Sequence, residues 1–476
     1  MEQDYLIKKP PFQALFIFAL PIIIGNLFQQ TYTMADSAIV GRFVSEQALA
    51  AVGASYSLTN IFICVAIGGG MGASVIVSQY FGAQKYDRMK TAIYTASLAF
   101  LGLSLLLGVF GLFCSREIMV LLNTPADCLS MASEYLRIYF LGLPFLFMYN
   151  VFSAMFNALG KSRIPLGFLI FSSLFNIVLD YLLVAGAHMG VSGVAWATLI
   201  AQGISAVLSM LVLLRILGKI SLPADSMEDS YRAGAMTTIP VKPPVFDGKE
   251  LVSMTRIAIP SILQQSTVSI GMMLVQSVVN SFGSTALAGF SAAMRIESIC
   301  VVPMSGIGNA VSSYTAQNLG AGKLDRIKRG YHQTMVMAMI TCAGIILLLI
   351  FAGPYAIGLF HMNKAATAIG SEYLRTLAWF FLIFCVMYIT NGVLQGSGDV
   401  AYPTAGSMTS LIVRVIVANI MATFPAIGYR SIFYSIPIGW VCGTSIVFIR
   451  YLTGKWKTKG VVRTGAQNAK EEAAHG

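Results

Sequence analysis

Charge and histidine are what this chain has least of. Of 476 residues only 11% are Asp, Glu, Lys or Arg, less than half of the about 25% usual in soluble domains. The four histidines, His188, His332, His361 and His475, stand apart from one another. No HExxH run and no paired nucleophile and base accompany them, so a membrane-embedded enzyme has no residues to carry its chemistry. A GxxxxGK[ST] phosphate loop is missing, which removes direct ATP drive. A TVGYG-like filter is missing as well, which removes the commonest potassium-channel design. The seven cysteines, at 64, 114, 128, 300, 342, 385 and 442, form no CxxC or Cys/His cluster. They read as small apolar filler. Cys114 and Cys128, which flank one loop, are the pair placed to bridge. Strict apolar/polar alternation is absent too, and with it a membrane β-barrel.

What is present is apolar. Hydrophobic residues make up 56% of the chain and mean hydropathy is +0.74. Twelve windows of about 20 apolar residues lie between residues 13 and 453, the fifth at 164–186 and the tenth at 372–394. The expected fold class is all-α: a polytopic membrane protein with twelve transmembrane helices. Met1–Gln13 carries no A-x-A-like site and the first apolar run is too long for a cleavable signal. The net charge of +11 raises nucleic acid as a partner, but its distribution excludes it. Most Lys and Arg fall in alternate loops, such as Lys85, Arg88 and Lys90 or Lys323, Arg326, Lys328 and Arg329. The other side holds Arg42, Arg116, Arg137, Lys364, Arg375 and Arg430. That asymmetry places both termini in the cytoplasm.

An internal repeat sits at an offset of 238 residues. SQYFGAQKYDRMK (78–90) returns as AQNLGAGKLDRIK (316–328), SEYLR (133–137) as SEYLR (371–375), and Gly160 and Pro165 as Gly398 and Pro403. Pro21 answers Pro260 with one residue of slip. Six helices per copy keep both copies in the same orientation, so the halves are parallel repeats about an axis along the membrane normal. The expected domains are a six-helix bundle over 1–215, a polar, Pro-rich cytoplasmic linker over 216–251 without regular structure, a second bundle over 252–454, and a disordered cytoplasmic tail over 455–476. Two pseudo-symmetric bundles are the layout of an alternating-access carrier.

Such a carrier without ATP runs on an ion gradient, which directs attention to polar groups inside the spans. The acidic ones are Asp36, Asp180 and Glu297. A carboxylate at membrane depth costs at least about 2.5 kcal/mol unless it is paired, solvated or bound to a cation. Asn176 and Asp180 are four residues apart and share a helix face. At about 1.5 Å per residue, Asp36, Asn176, Asp180 and Thr198 reach one zone of the first bundle. Two carboxylates, an amide and a hydroxyl suit a sodium ion, and equally a proton shared between carboxylates. The structural alternatives are a solvated Asp36 near Gly41 and Arg42, and an Asp180 held by Asn176 and Tyr181 as helix-packing glue. In the second bundle the offset carries Asn176 to Arg414 and Asp180 to Ala418. Glu297 and Arg414 come to similar depth. An ion pair between them, pairing of Glu297 with Arg295, and a Glu297 facing a watery cleft are all open. Gly68, Gly69, Gly70 and Gly72 read as a close-packing or hinge cluster. Met294 and Met304 read as packing residues or as walls of an adaptable cleft.

LPIIIGNLFQQTYTMADSAIVGRF (20–43), ALAAVGAS (48–55), FNALGKSRIP (156–165) and FNIVLDYLLV (175–184) together resemble the multidrug and toxic compound extrusion (MATE) transporters, over about residues 12–453. The resemblance implies two six-helix lobes. It also implies export of amphipathic, often cationic small molecules by antiport against protons or sodium. The family's amino-lobe cation site matches Asp36, Asn176, Asp180 and Thr198, a set that would take Na+. NorM-type members add a Glu in the seventh helix and an Asp in the tenth; here stand Gln264 and Gln265, and Thr390 and Asn391. RIES (295–298) resembles the DinF/MepA-like bacterial branch instead. Gln264, Gln265, Met294, Glu297 and Arg414 are the residues expected at the substrate cleft. A multi-pass monomer in the lipid bilayer of the cytoplasmic (inner) membrane, with no cofactor beyond the coupling ion, is the expected assembly. The alternative is a flippase for a lipid-linked precursor, which calls for a large basic cavity, whereas only Arg295 and Arg414 lie within apolar runs.

Overall fold

A backbone crossing lipid has to satisfy its N–H and C=O groups within its own segment, and long helices do so. The computed structural model describes residues 4–43, 46–122, 124–126, 128–220 and 244–462, with side chains at 35–50, 57 and 272 outside the description. Every regular element among the described residues is helical. The long helices are α1 (Pro11–Phe43), α2 (Glu46–Gly82), α3 (Tyr86–Leu121), α4 (Leu129–Ala158), α5 (Arg163–Asp180) and α6 (Gly190–Lys219). They continue as α7 (Gly248–Asn280), α8 (Ser284–Gly320), α9 (Leu324–Phe351), α10a (Lys364–Ala378), α10b (Phe381–Ser397), α11 (Ala401–Ala422) and α12 (Arg430–Leu452).

Among the described residues eleven helices are long and apolar enough to cross a membrane, and the bent pair α10a–α10b makes twelve when counted as one span. The tenth expected span, 372–394, is therefore not one straight helix: it bends by 55° between Ala378 and Phe381. No proline marks the bend, whereas Pro144 sits inside the unbroken α4; hydropathy alone does not register such a break.

The repeat is visible in the backbone. Left-handed residues recur 238 positions apart: Gln84 (φ 59°) and Gly322 (φ 70°), Gly160 (73°) and Gly398 (88°), Gly190 (61°) and Gly428 (53°). These are the corners where one helix hands over to the next, and the positive φ favours glycine.

The described residues pack as two compact units, Met1–Gln30 with Ile259–Gly476, and Thr31–Ala258. The division falls inside α1 and α7. In the second unit α4 lies against α2, α3 and α6, around Leu136, Phe140, Leu143 and Phe147. The glycine cluster of α2 is a packing device here. A Cβ on Gly72 would meet the Met254 carbonyl at 2.7 Å and Ala258 at 2.8 Å, and one on Gly70 would meet Ala154 at 3.3 Å. Small residues let backbones approach where lipid removes the hydrophobic drive for association. In the first unit α8 lies against α9, α10a and α10b, and α11 against α12, around Tyr314, Tyr373, Phe381 and Phe433.

Helix takes in both edges of the 216–251 segment, since α6 runs to Lys219 and α7 starts at Gly248; residues 221–243 lie outside the described ones. The start of the tail is also ordered, contrary to expectation. Lys455–Thr458 forms a 3-10 turn, and Trp456 is buried and stacked on Tyr451 at 5.7 Å. Residues 463–476 lie outside the described ones. Cys114 and Cys128 are not bridged.

Candidate functional site

The site is built where α5 ends. Asp180 is its last α-helical residue, and Tyr181–Gly186 continues as a single π-helical stretch. Such wide turns tend to sit at functional positions because they re-aim the side chains beside them. Asn176 and Asp180, one helical turn apart, are both buried, Asp180 fully.

The amide orientation of Asn176 is assigned from its neighbours. With its nitrogen toward the carboxylate, it donates to Asp180 Oδ2 at 3.0 Å and to Tyr32 Oη at 2.8 Å. Its oxygen then accepts from the Thr198 main-chain N–H at 3.0 Å. The Thr198 hydroxyl lies 3.5 Å from the same end of the amide. One amide thus uses both donors and its acceptor on α1, α5 and α6. Three of the four residues expected at the cation site, Asn176, Asp180 and Thr198, come together. Asp36 lies one helical turn beyond Tyr32 on α1, and its side chain is outside the described residues. Tyr32 is the residue that the sequence did not single out; its signal was the four-residue spacing to Asp36.

The described oxygens around the Asn176 amide are the Asp180 carboxylate, the Tyr32 phenol and the Thr198 hydroxyl. Hard oxygen ligands of this kind suit a small cation, and a carboxylate hydrogen-bonded to an amide is equally a proton acceptor.

The expected cleft residues divide. Glu297 on α8 does not pair with Arg414: no ion pair within 4.0 Å joins them among the described residues. Glu297 instead accepts the Tyr373 hydroxyl at 2.6 Å. Tyr373 wins because it is fully buried, wedged edge-on between Phe290 and Phe433 at 5.3 Å from each. Its hydroxyl also lies 3.4 Å from Met294 Sδ. Met294 and Arg414 line a cavity of about 240 Å³ between α7, α8 and α11. Gln264 and Gln265 do not line it. Gln264 is buried and accepts from Gln395 Nε2 at 2.9 Å, and Gln265 is half-buried. Met304 is fully buried in the core, so packing is its role.

The family model described as MatE matches residues 21–182 and 260–420, more than half of the chain and both halves of the repeat. The chain belongs to the MatE family. Among curated proteins it is similar to a "probable multidrug resistance protein YpnP" of Bacillus subtilis, at 29% identity over 451 residues, 93% of this chain and 95% of that protein. It is similar also to the "multidrug export protein MepA" of Staphylococcus aureus, at 23% over 457 residues, 94% and 95% of the two chains. Among solved structures it superposes on an outward-facing "multidrug resistance MATE family transporter of the MOP superfamily" with a TM-score of 0.85 at 22% identity. The match covers 96% of this chain and 99% of that one. A MATE "in the straight conformation" gives a TM-score of 0.84 with the same identity and coverage. These structures fix the fold, and with it a multi-pass membrane architecture for this MatE member.

Proposed function

We propose that the chain is a cation-coupled antiporter that exports amphipathic small molecules by alternating access. The observation that carries this reading is the fully buried Asp180 carboxylate at 3.0 Å from Asn176, whose amide also engages Tyr32 on α1 and the Thr198 main chain on α6. A charge so placed in lipid costs at least about 2.5 kcal/mol, and a proton or sodium ion on Asp180 lowers that cost. Uptake changes what Asn176 binds, and three helices share Asn176. Occupancy of one carboxylate is thereby read by α1, α5 and α6 together.

For the cation to drive transport, it must bind one arrangement of these helices more tightly than the other. A swing from 1:99 to 99:1 takes about 5.5 kcal/mol of difference. The names of the multidrug relatives support small-molecule export, and the Lys/Arg asymmetry supports cytoplasmic termini in the cell's inner membrane. A monomer is the assembly proposed. A lipid-linked flippase is not favoured. Recognition of a pyrophosphate calls for several cations around one cavity, and Arg414 is the one arginine that lines the cavity between α7, α8 and α11, while Arg295 is exposed.

The test is efflux of ethidium from proteoliposomes under a sodium gradient and, separately, a proton gradient. Wild type is expected to transport under one of them, and Asp180→Asn to lose about tenfold or more of that rate. Wild-type rates for Asp180→Asn under both gradients would sink the reading.

A further inference from the structure

The cavity between α7, α8 and α11 faces an arginine to which no described residue offers an acceptor. Arg414 Nε is buried and has no hydrogen-bond partner, and no ion pair within 4.0 Å reaches the guanidinium among the described residues. The Glu297 carboxylate is committed to Tyr373 at 2.6 Å. A buried donor without a partner costs about 1–3 kcal/mol, and more when it is charged. The cavity in front of Arg414, about 240 Å³ in volume, has Val275, Phe290 and Met294 as apolar walls and Gln276 and Ser291 as polar ones.

We infer that Arg414 and this cavity form a binding site for the anionic head and first ring of an amphipathic ligand, an aryl sulfonate or aryl carboxylate. This deepens, and rests on, the small-molecule export proposed above, while reversing the charge expected of the substrate. A guanidinium presents a planar fork of donors that matches two oxygens of one anionic group. Phe290 offers a ring, and its edge-on contact with Tyr373 at 5.3 Å holds it in place. Met294 offers a deformable thioether, with Tyr373 Oη 3.4 Å from its sulfur. Drug-sized sites run from about 300 to 1,000 Å³. The cavity is smaller, so it takes a head and one or two rings and leaves the rest of the ligand outside.

The site also has a built-in contrast. Glu297 repels an anion, yet the Tyr373 hydroxyl donates to it at 2.6 Å and disperses its charge. An aryl ammonium of the same shape would meet the Arg414 guanidinium with no acidic residue in the lining to offset it.

The experiment is equilibrium binding to the purified full-length protein in detergent, by calorimetry and thermal shift. The probes are naphthalene-1-sulfonate and the naphthyl trimethylammonium ion of matching size. The sulfonate is expected to bind saturably and to raise Tm, with the ammonium ion about tenfold weaker or more. Arg414→Gln is expected to weaken the sulfonate by about tenfold or more, with Arg414→Lys in between. Ser291→Phe fills the cavity from another lining position while keeping the arginine, and is expected to weaken the sulfonate to a similar degree. This second variant carries the test should Arg414→Gln not fold. Equal binding of both probes to wild type overturns the proposal. So does an absence of saturable sulfonate binding, as expected of a merely water-filled cavity, or wild-type sulfonate affinity in Ser291→Phe. The readout needs no ion gradient, so its failure leaves the role of Asp180 standing, and failure of the Asp180 test leaves this site standing.

Discussion

Arg326 donates to the main-chain oxygen of Lys9 at 2.7 Å. The same guanidinium reaches Leu6 O at 3.3 Å and Asn318 Oδ1 at 3.0 Å, so it closes the end of the short helix Tyr5–Lys8 just before α1. Its counterpart 238 residues earlier, Arg88, pairs with Asp247 at 3.3 Å, just before α7. Each copy of the repeated loop therefore grips the lead-in to the first long helix of the other half of the sequence. The two grips are not equal in strength. Arg326 is half-buried with three acceptors, while the Arg88 side chain is 59% exposed. Exposed pairs contribute about 0–1 kcal/mol, and hydrogen bonds from a charged group about 1.5–3 kcal/mol. Arg326→Ala is expected to lower the Tm of the detergent-solubilised protein by several degrees, and Arg88→Ala by much less. Equal losses would show that the lead-in to α1 is held by something other than this guanidinium.

Tyr32 Oη accepts a hydrogen bond from Asn176 at 2.8 Å, which ties it to the cation site. Tyr32→Phe removes that acceptor and keeps the ring. A neutral hydrogen bond contributes about 1 kcal/mol, so the cation concentration giving half-maximal efflux is expected to shift by about fivefold while protein yield holds. An unchanged concentration dependence would separate Tyr32 from the coupling site.

Arg450 and Asp399 form a buried ion pair, Nε to Oδ2 at 2.6 Å, with side-chain exposures of 9% and 5%. The guanidinium also lies over the Tyr402 ring at 4.2 Å. Removing one partner of such a pair strands a charge and costs about 3–5 kcal/mol. Arg450→Leu is expected to lose most of its folded yield, and the double variant Arg450→Leu/Asp399→Asn to recover much of it. Measured by size-exclusion profiles and Tm, a double variant no better than the single would argue that packing on Tyr402 matters more than charge.

Gly72 has no room for a side chain, because Met254 O would lie 2.7 Å from its Cβ. Backbone cannot step aside as a side-chain tip can. Gly72→Ala is expected to cost about 1–3 kcal/mol in thermal stability, whereas Gly102→Ala, with nothing within 4 Å, is expected to be neutral or stabilising. Equal behaviour of the two variants would contradict the close α2–α7 approach.

What the residues settled alone is local or periodic. Apolar runs of bilayer length set the number of spans, because a continuous apolar run satisfies its own backbone in lipid as a helix. The offset of 238 fixed the repeat, and it reappears in the left-handed corners at Gln84 and Gly322. The four-residue spacing put Asn176 and Asp180 on one face. What tertiary structure decided is which side chain on another helix comes to meet them. Tyr32 reaches Asn176 from 144 positions away, Tyr373 takes Glu297 from Arg414, and Arg414 is left facing a cavity. Helical rotation and tilt set those meetings, and they follow from the packing of whole helices against one another, which no window of the sequence encodes. The 55° bend in α10 belongs to the same class: the chain there is as apolar as its neighbours, and only its contacts with α8 and α12 set its course.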